Sequence, residues 1–438
     1  MIGAIGLIIG IALLIVLTLK GVNAVIASLV ASIAVIITNG LPFWNTFVNE
    51  YSSGFGSFMT TYFLMFCLAS AYGEIMKVTG AAEAIANFLF KIFGARFAPV
   101  ATLLVTWLLA YGGINAFIVV FAVYPIAMPL FKRANLSKNL MPAIFLYGSV
   151  VVLVCTPGVI AGLMYALSEG FGVSPLSAPT MGIIALVIAL AFGVLYLMFR
   201  AKSMAKKGEV FEPSESDLAL LASHEGKNLP PLWSSLLPLV LVIVLRILLL
   251  NIGMATMPAS YASLIVGTVV LIVLQFKYIK GHAIQDFTTG FLSSVNPLLL
   301  SAGIMGFAAI VNVAPSFQLF INFAEWMAET LNPYISAVVS INIFSGITGA
   351  SMSGATIFAD TLVDTYMQYN INPAAMFRIT SIASMGLDTL PHCPTFIAMA
   401  AVCGVTTKKS YGHVFWCTVV APIALALICV LLAMVGIV

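Results

Sequence analysis

Long apolar runs separated by short polar punctuation dominate this chain from its first residues onward. The pattern predicts helices over residues 2–19, 22–39 and 56–77, and an amphipathic piece over 81–94. Segments 97–111 and 113–131 follow, separated by Tyr111-Gly112-Gly113-Ile114-Asn115. A stretch over 139–168 is interrupted by Cys155-Thr156-Pro157-Gly158, and 179–200 closes the first half. After a polar linker, Ala201–Leu232, the order returns: 233–251, 258–276, 292–313, an amphipathic 317–330, then 334–347 and 354–369. Last come 373–405, interrupted around Leu390-Pro391-His392-Cys393-Pro394, and 413–437. Roughly 20 apolar residues span the hydrocarbon core as a helix, so the pattern predicts an all-α polytopic membrane protein.

The two halves also match in detail. Glu50-Tyr51-Ser52-Ser53-Gly54-Phe55 returns 236 positions later as Asp286-Phe287-Thr288-Thr289-Gly290-Phe291, acid for acid, aromatic for aromatic and hydroxyl for hydroxyl. Asn135-Leu136 pairs with Asn370-Ile371, and Thr156-Pro157 with Leu390-Pro391. Both halves therefore break a helix with proline at corresponding places. Proline removes a backbone donor and clashes with the preceding turn, and in lipid such breaks survive only where buried or lining a polar cavity. Paired breaks in two repeats point to a transport site between them. The expected domains are a first repeat over 1–200, a cytoplasmic linker over 201–232 and a second repeat over 233–438.

Composition strengthens this picture. The chain is 62% hydrophobic and 8% charged over 438 residues, too little charge to keep a protein of this size dissolved. The net charge of +3 is a loop effect, and no basic, aromatic-laced patch suggests nucleic acid. Sixteen of the 18 Lys and Arg residues fall on one side if the linker is cytoplasmic, and none lies in the expected outer loops (40–56, 169–178, 252–257, 314–333, 370–373). With 97–131 as a re-entrant hairpin, each repeat has an odd number of crossings, so the second is inverted and both termini lie outside. The hairpin rests on its short glycine-rich turn and on the equivalent turn Thr348-Gly349-Ala350-Ser351-Met352-Ser353-Gly354. The apolar N-terminus has no preceding positive residue and reads as a retained helix. The six cysteines lie in apolar segments without metal-type spacing.

Charges inside apolar segments are costly and are functional candidates. Asp360, Asp364 and Gln368 recur every four residues and share a helix face. Arg378, Thr380, Ser381, Ser384 and Asp388 fall on one polar arc of the next segment if it stays helical, and His392 lies in its break. Arg378 is a candidate anchor for a carboxylate, which a guanidinium binds through two parallel hydrogen bonds; the alternative is a structural ion pair with Asp364 or Asp360. Asp388 is the leading proton carrier, with helix-end capping as the alternative. His392 titrates in the physiological range in water and is a coupling candidate, as are Asp360 and Asp364. The hydroxyls Ser345, Thr348, Ser351, Ser353 and Thr356 suit either substrate binding or close helix packing. Gly113 and Asn115 in the first turn, and Thr156 and Gly158 in the first break, are their uncharged counterparts. Arg246 is read as snorkelling near a helix end. No zinc, phosphate-loop or nucleophile-elbow motif is present, so no enzyme activity, cofactor or metal is expected.

At the second break the chain becomes recognisable. Ser384-Met385-Gly386-Leu387-Asp388-Thr389-Leu390-Pro391-His392, followed by Ala401-Val402-Cys403-Gly404-Val405-Thr406, resembles the gluconate:proton symporter (gluconate permease) family, part of a larger ion-transporter group. The resemblance extends over the whole chain. It implies a homodimer in the inner membrane with a scaffold and a mobile transport domain. That domain would contain both hairpins and both broken helices, move as an elevator, and couple protons to uptake of an organic acid. Cys393-Pro394 stands where sugar-acid members carry Asn-Gly, which widens the expected substrate from gluconate to short hydroxy or fatty acids such as butyrate. Two rival readings stay open: a sodium-coupled di- or tricarboxylate carrier, and a proton-conducting subunit of a membrane complex.

Overall fold

The structure is a computed structural model that describes residues 2–111, 116–159, 162–213, 229–369 and 371–438. The described residues are helical, with no strand among them. The first half contains α1 (Ile2–Leu19), α2 (Ala24–Thr38), α3 (Phe43–Val78), α4 (Ala81–Phe93), α5 (Ala98–Tyr111), α6 (Ala116–Arg133), α7 (Lys138–Cys155), α8 (Gly162–Gly170) and α9 (Pro179–Lys206). The second contains α10 (Leu232–Asn251), α11 (Thr256–Leu274), α12 (Ala283–Val313), α13 (Phe317–Thr330), α14 (Pro333–Thr348), α15 (Ser351–Met367), α16 (Pro373–Ala383), α17 (Pro394–Cys403) and α18 (Thr407–Met434). Among the described residues nine helices are long and apolar enough to cross a membrane, or ten if one bent pair counts as a span. The chain is thus a polytopic helical membrane protein, as the apolar pattern predicts.

Local chemistry sets many of the boundaries. Asn332-Pro333 and Asn372-Pro373 start α14 and α16 in the same way. Each asparagine side chain accepts from two backbone N–H groups of the first turn, and proline follows at the first helical position. Gly80 and Gly94 bracket α4 at φ of 78° and 70°. Just beyond Gly94 the chain turns by 109°, so α4 and α5 lie nearly at right angles.

The third helix of each half begins earlier than the sequence predicts, at Phe43 rather than 56 and at Ala283 rather than 292. Residues 43–56 are therefore helical, not an outer loop. The 36 residues of α3 reach about 54 Å, well beyond a hydrocarbon core of about 30 Å. The repeated Gly54 and Gly290 lie inside these helices because two backbones meet there. A Cβ at Gly54 would fall 2.6 Å from the Met305 carbonyl oxygen, and one at Gly290 would fall 2.8 Å from Ala71 Cα. Ser70 and Ser293 hydrogen-bond at 2.8 Å along the same seam. Low numbers on α3 thus meet high numbers on α12, and the pair packs antiparallel. Small residues of this kind let membrane helices approach closely.

One prediction follows from Gly54 and its neighbour. Gly56 has nothing within 4 Å of where its Cβ would be. Gly54→Ala is expected to destabilise the protein by about 1–3 kcal/mol, because α12 must shift. Gly56→Ala is expected to be neutral or to stabilise by up to about 1 kcal/mol through helix propensity. Thermal unfolding of both variants in detergent checks this; equal midpoints would refute the close crossing.

Candidate functional site

In the second half, α14 and α15 pack side by side and meet at a two-residue tip, Gly349-Ala350. Gly349 adopts φ of 65°, and its N–H closes the last turn of α14 on the Ser345 carbonyl. Its lack of a side chain matters twice, since a Cβ would also lie 2.9 Å from the His392 ring. The tip therefore sits directly on the break between α16 and α17.

That break is longer than the sequence predicts. Helix α16 ends at Ala383, and Ser384–Cys393 form successive turns before Pro394 starts α17. Ser384 and Asp388 therefore do not continue a helical polar arc with Arg378. The cause lies on another helix. Asn342 of α14 accepts the Leu387 N–H at 3.0 Å through Oδ1, and it presses on Gly386, where a Cβ would fall 2.1 Å from that same oxygen. Asn342 supplies locally the partner that the interrupted ladder lacks. Thr389 donates to the Thr418 carbonyl of α18 at 3.2 Å, and Ser301 of α12 donates to the Pro394 carbonyl at 3.0 Å.

Inside this frame several polar atoms are buried together. The carboxyl group of Asp388, 4% exposed, faces the hydroxyl and backbone N–H of Ser351 at the start of α15 and those of Thr389. Its Oδ1 nevertheless has no hydrogen-bond partner. The His392 ring is fully buried and faces the Gly346 carbonyl, yet neither ring nitrogen closes a hydrogen bond. The Ser345 hydroxyl is likewise buried without a partner. Asp388 is the one buried carboxylate among the described residues. An unsatisfied buried polar atom costs about 1–3 kcal/mol, and those of Ser345, Asp388 and His392 cluster around this one tip.

The other candidates are placed as follows. Ser351 faces Asp388, and Ser353 is half-buried within the first turn of α15. Thr356 bonds back to the Met352 carbonyl at 3.0 Å. Ser384 caps α16, its hydroxyl on the Ser381 carbonyl at 2.9 Å. Asp360 and Asp364 do share a face of α15, but it is the exposed one. The buried face carries Ala355, Phe358, Leu362 and Tyr366, and it turns the two carboxylates away from Asp388. In the first half, Thr156 is fixed by Trp107 of α5, whose Nε1 donates to it at 3.0 Å, and it donates to the Val152 carbonyl at 2.9 Å. Gly113 and Asn115 lie outside the described residues.

Two arginines are buried among the described residues. Arg378 is fully buried, and its guanidinium donates to backbone carbonyls: Val154 at 3.3 Å, Ser177 at 2.8 Å and Pro175 at 3.5 Å. It pairs with neither Asp360 nor Asp364. Arg246 does not snorkel. It is 3% exposed, and its Nε donates to the Ser260 hydroxyl of α11 at 2.9 Å. Asn342 and Trp107 escaped the sequence reading altogether, although a carboxamide in the middle of an apolar helix was a signal that could have found the first.

Comparison with known proteins identifies the family. The GntP family permease pattern matches residues 2–435. The chain is 27% identical over 452 residues to the uncharacterized transporter YxjC of Bacillus subtilis, covering 94% of both chains. It is 24% identical over 397 residues to the D-serine transporter DsdX of Escherichia coli O6:H1, covering 86% of both. An uncharacterized transporter of Haemophilus influenzae is 23% identical over 354 residues, covering 80% of both. The chain belongs to the GntP permease family and is a multi-pass membrane transporter, not an enzyme.

Proposed function

We propose that this transporter is a proton-coupled symporter of a small organic monocarboxylate, working by elevator-type alternating access. The observation that carries the reading is the cluster of buried, unpartnered polar atoms of Ser345, Asp388 and His392 where a hairpin tip covers a helix break. A proton on Asp388 neutralises the one buried carboxylate of the described residues. An acid anion arriving with that proton adds one negative charge while the proton removes another, so loading leaves the net charge of the site unchanged instead of burying a second anion.

Two inverted repeats and a moving domain fit the arrangement. The succession α1–α9 is matched in order by α10–α18, each half with a packed helix pair (α5 with α6, α14 with α15) and a broken helix (α7 with α8, α16 with α17). The α3–α12 crossing supports the inversion. Gly54 lies on residues 305–309 of α12, and its equivalent Gly290 lies on residues 70–74 of α3. Subtracting the repeat offset of 236 turns 305–309 into 69–73, so the contact maps onto itself, as a two-fold axis requires. In this reading α1–α3 and α10–α12 are the scaffold, residues 201–232 link the repeats in the cytoplasm, and both termini lie outside. Two such chains form a homodimer.

The test is uptake by reconstituted protein in liposomes with labelled gluconate, 3-hydroxybutyrate, butyrate and D-serine, under an imposed pH gradient, with and without sodium. Proton-driven accumulation of an acid in sodium-free buffer is expected. Strict dependence on sodium would replace the proton by that ion, and no uptake of any probe would remove the reading.

A further inference from the structure

The α3–α12 pair meets the rest of the protein asymmetrically. In the first half, α6 lies along α3. The Phe117 ring is 5.5 Å from both Phe58 and Tyr62 and 5.2 Å from Phe66, and the Phe121 ring is 5.7 Å from Phe66. Further along, a Cβ on Gly73 would collide with the Phe121 carbonyl and lie 3.6 Å from Pro125. Phe117, Phe121 and Pro125 recur every four residues and form one stripe of α6. In the second half the helix lying on α12 is α17, whose Pro394 carbonyl accepts from Ser301 at 3.0 Å. Helices α6 and α17 also pack on each other, so they meet the α3–α12 pair as one face.

The repeat counterparts of α6 and α17 are α15 and α8. These two pack on each other as well: a Cβ on Gly170 would lie 3.3 Å from the Ala359 side chain and 3.4 Å from that of Val363. An offset of 235, the one that pairs Asn135 with Asn370, carries Phe117, Phe121 and Pro125 to Met352, Thr356 and Asp360. This second stripe is open. Met352 is 47% exposed, Asp360 is exposed and Thr356 is half-buried, and on α8 the neighbouring Tyr165 is 49% exposed. A carboxylate on a membrane-embedded helix faces water or a polar partner rather than lipid, so the stripe borders water at Asp360.

We infer that the α8–α15 face is a second docking surface for the α3–α12 pair, occupied in the opposite end state of the transport cycle. The inference rests on the inverted-repeat, elevator reading above. A helix pair whose contact maps onto itself offers the same surface to each repeat. What accepts α6 and α17 therefore also accepts their counterparts in exchanged order, α15 on α12 and α8 on α3. The offset of 236 carries Tyr62, Phe66 and Gly73 to Leu298, Ala302 and Ala309, so the Met352–Thr356 stripe comes to lie along these three. Asp360 then meets Ala309, four residues from the end of α12 at Val313, where its carboxylate still reaches water. The second contact lacks the interlocked rings of the first, which accounts for the first being the one seen here. The gate changes with the contact. While α6 is docked, the α14–α15 tip over Asp388 is free to lift from the break; once α15 docks, that tip is held and the α5–α6 hairpin is released.

Paired cysteines test this in proteoliposomes, since all six native cysteines are buried. Phe66→Cys with Phe117→Cys reports the contact seen here, and Ala302→Cys with Met352→Cys reports the inferred one. With copper phenanthroline as oxidant, both pairs are expected to form a disulfide within one chain. Each bridge is expected to lower uptake of labelled acid at least about tenfold, because it locks a step of the cycle, and reduction is expected to restore it. The parent protein, treated in the same way, keeps its uptake. A missing bridge between α12 and α15 in protein that takes up acid overturns the second docking surface and leaves the transport reading standing. A bridge that forms there without slowing uptake overturns it equally. If the parent takes up no probe, the organic-acid reading fails, while formation of the α12–α15 bridge still decides the docking. Should the double variants fail to fold, Thr356→Cys alone on the open stripe is coupled to a bulky maleimide. Uptake is then expected to fall at least about tenfold at an unchanged thermal midpoint, and full uptake by the coupled protein would count against the surface.

Discussion

Replacing Asp388 with asparagine is expected to abolish concentrative uptake while leaving exchange intact. One pH unit is worth 1.36 kcal/mol per proton, a factor of ten. A carrier that moves one proton with each acid therefore accumulates that acid about tenfold across a gradient of one pH unit. Asparagine has nearly the size of aspartate and can still lie against Ser351 and Thr389, but it cannot release a proton. It imitates the protonated, neutral state, in which the tip can close over the break. The loaded carrier should still cross in both directions, so labelled acid should exchange against unlabelled acid at a rate within a few-fold of the parent. The accumulation ratio should drop from about ten to about one. Two assays on one preparation check this: net uptake under the gradient, and counterflow without it. A variant that still concentrates the acid about tenfold would take the proton away from Asp388, leaving His392 as the remaining group at the tip. Loss of counterflow together with uptake would mean that Asp388 holds the tip in shape and does no more.

How much of this could be read beforehand depends on where the information lies. Pro157, Pro391 and Pro394 announce both breaks, because proline disrupts a helix whatever surrounds it. The first break was legible almost to the residue, with α7 ending at Cys155. The second begins earlier than its prolines announce. Ser384 and Asp388 keep a helical spacing with Arg378, and nothing nearby in the chain says that the helix stops at Ala383. That message is carried by Asn342, more than forty residues earlier, whose side chain holds the Leu387 N–H. Asp360 and Asp364 show the same limit in another form. Their shared face was readable from spacing, but which face turns inward is decided by the packing of Phe358 and Tyr366. The burial of Arg246 is not legible from its position near a helix end, which says nothing of the neighbouring helix that places Ser260 against it. The repeated glycines are legible as a pattern but not as a contact, since their reason is a backbone on the opposite helix.

Arg378 gives the second large effect, and it is one of stability. Helix α7 stops at the first break, so its last carbonyls have no intrahelical partner. Arg378 reaches across from α16 to one of them, Val154, and its other terminal nitrogen donates to Ser177 in the segment before α9. One side chain thus fastens the second broken helix to the first, and Gly182 of α9 leaves room for it: a Cβ there would lie 3.4 Å from Cζ. Hydrogen bonds from a charged donor contribute about 1.5–3 kcal/mol each. The cation also sits favourably at the negative end of α7. Arg378→Met fills much of the same volume but removes the donor from the Val154 and Ser177 carbonyls and from the more distant Pro175 carbonyl, so a loss of about 3–5 kcal/mol is expected. Arg378→Lys should recover only part of it, because a single ammonium cannot span carbonyls that a planar fork bridges. Thermal unfolding in detergent measures the loss, and uptake by the fraction that folds measures whether the side chain also touches substrate. A carboxylate anchor would behave in the opposite way: Arg378→Lys would raise KM many-fold at nearly unchanged stability. That outcome would return the anchor to α16, whereas a fall in stability at constant KM leaves Arg378 as the tie that holds the two breaks together.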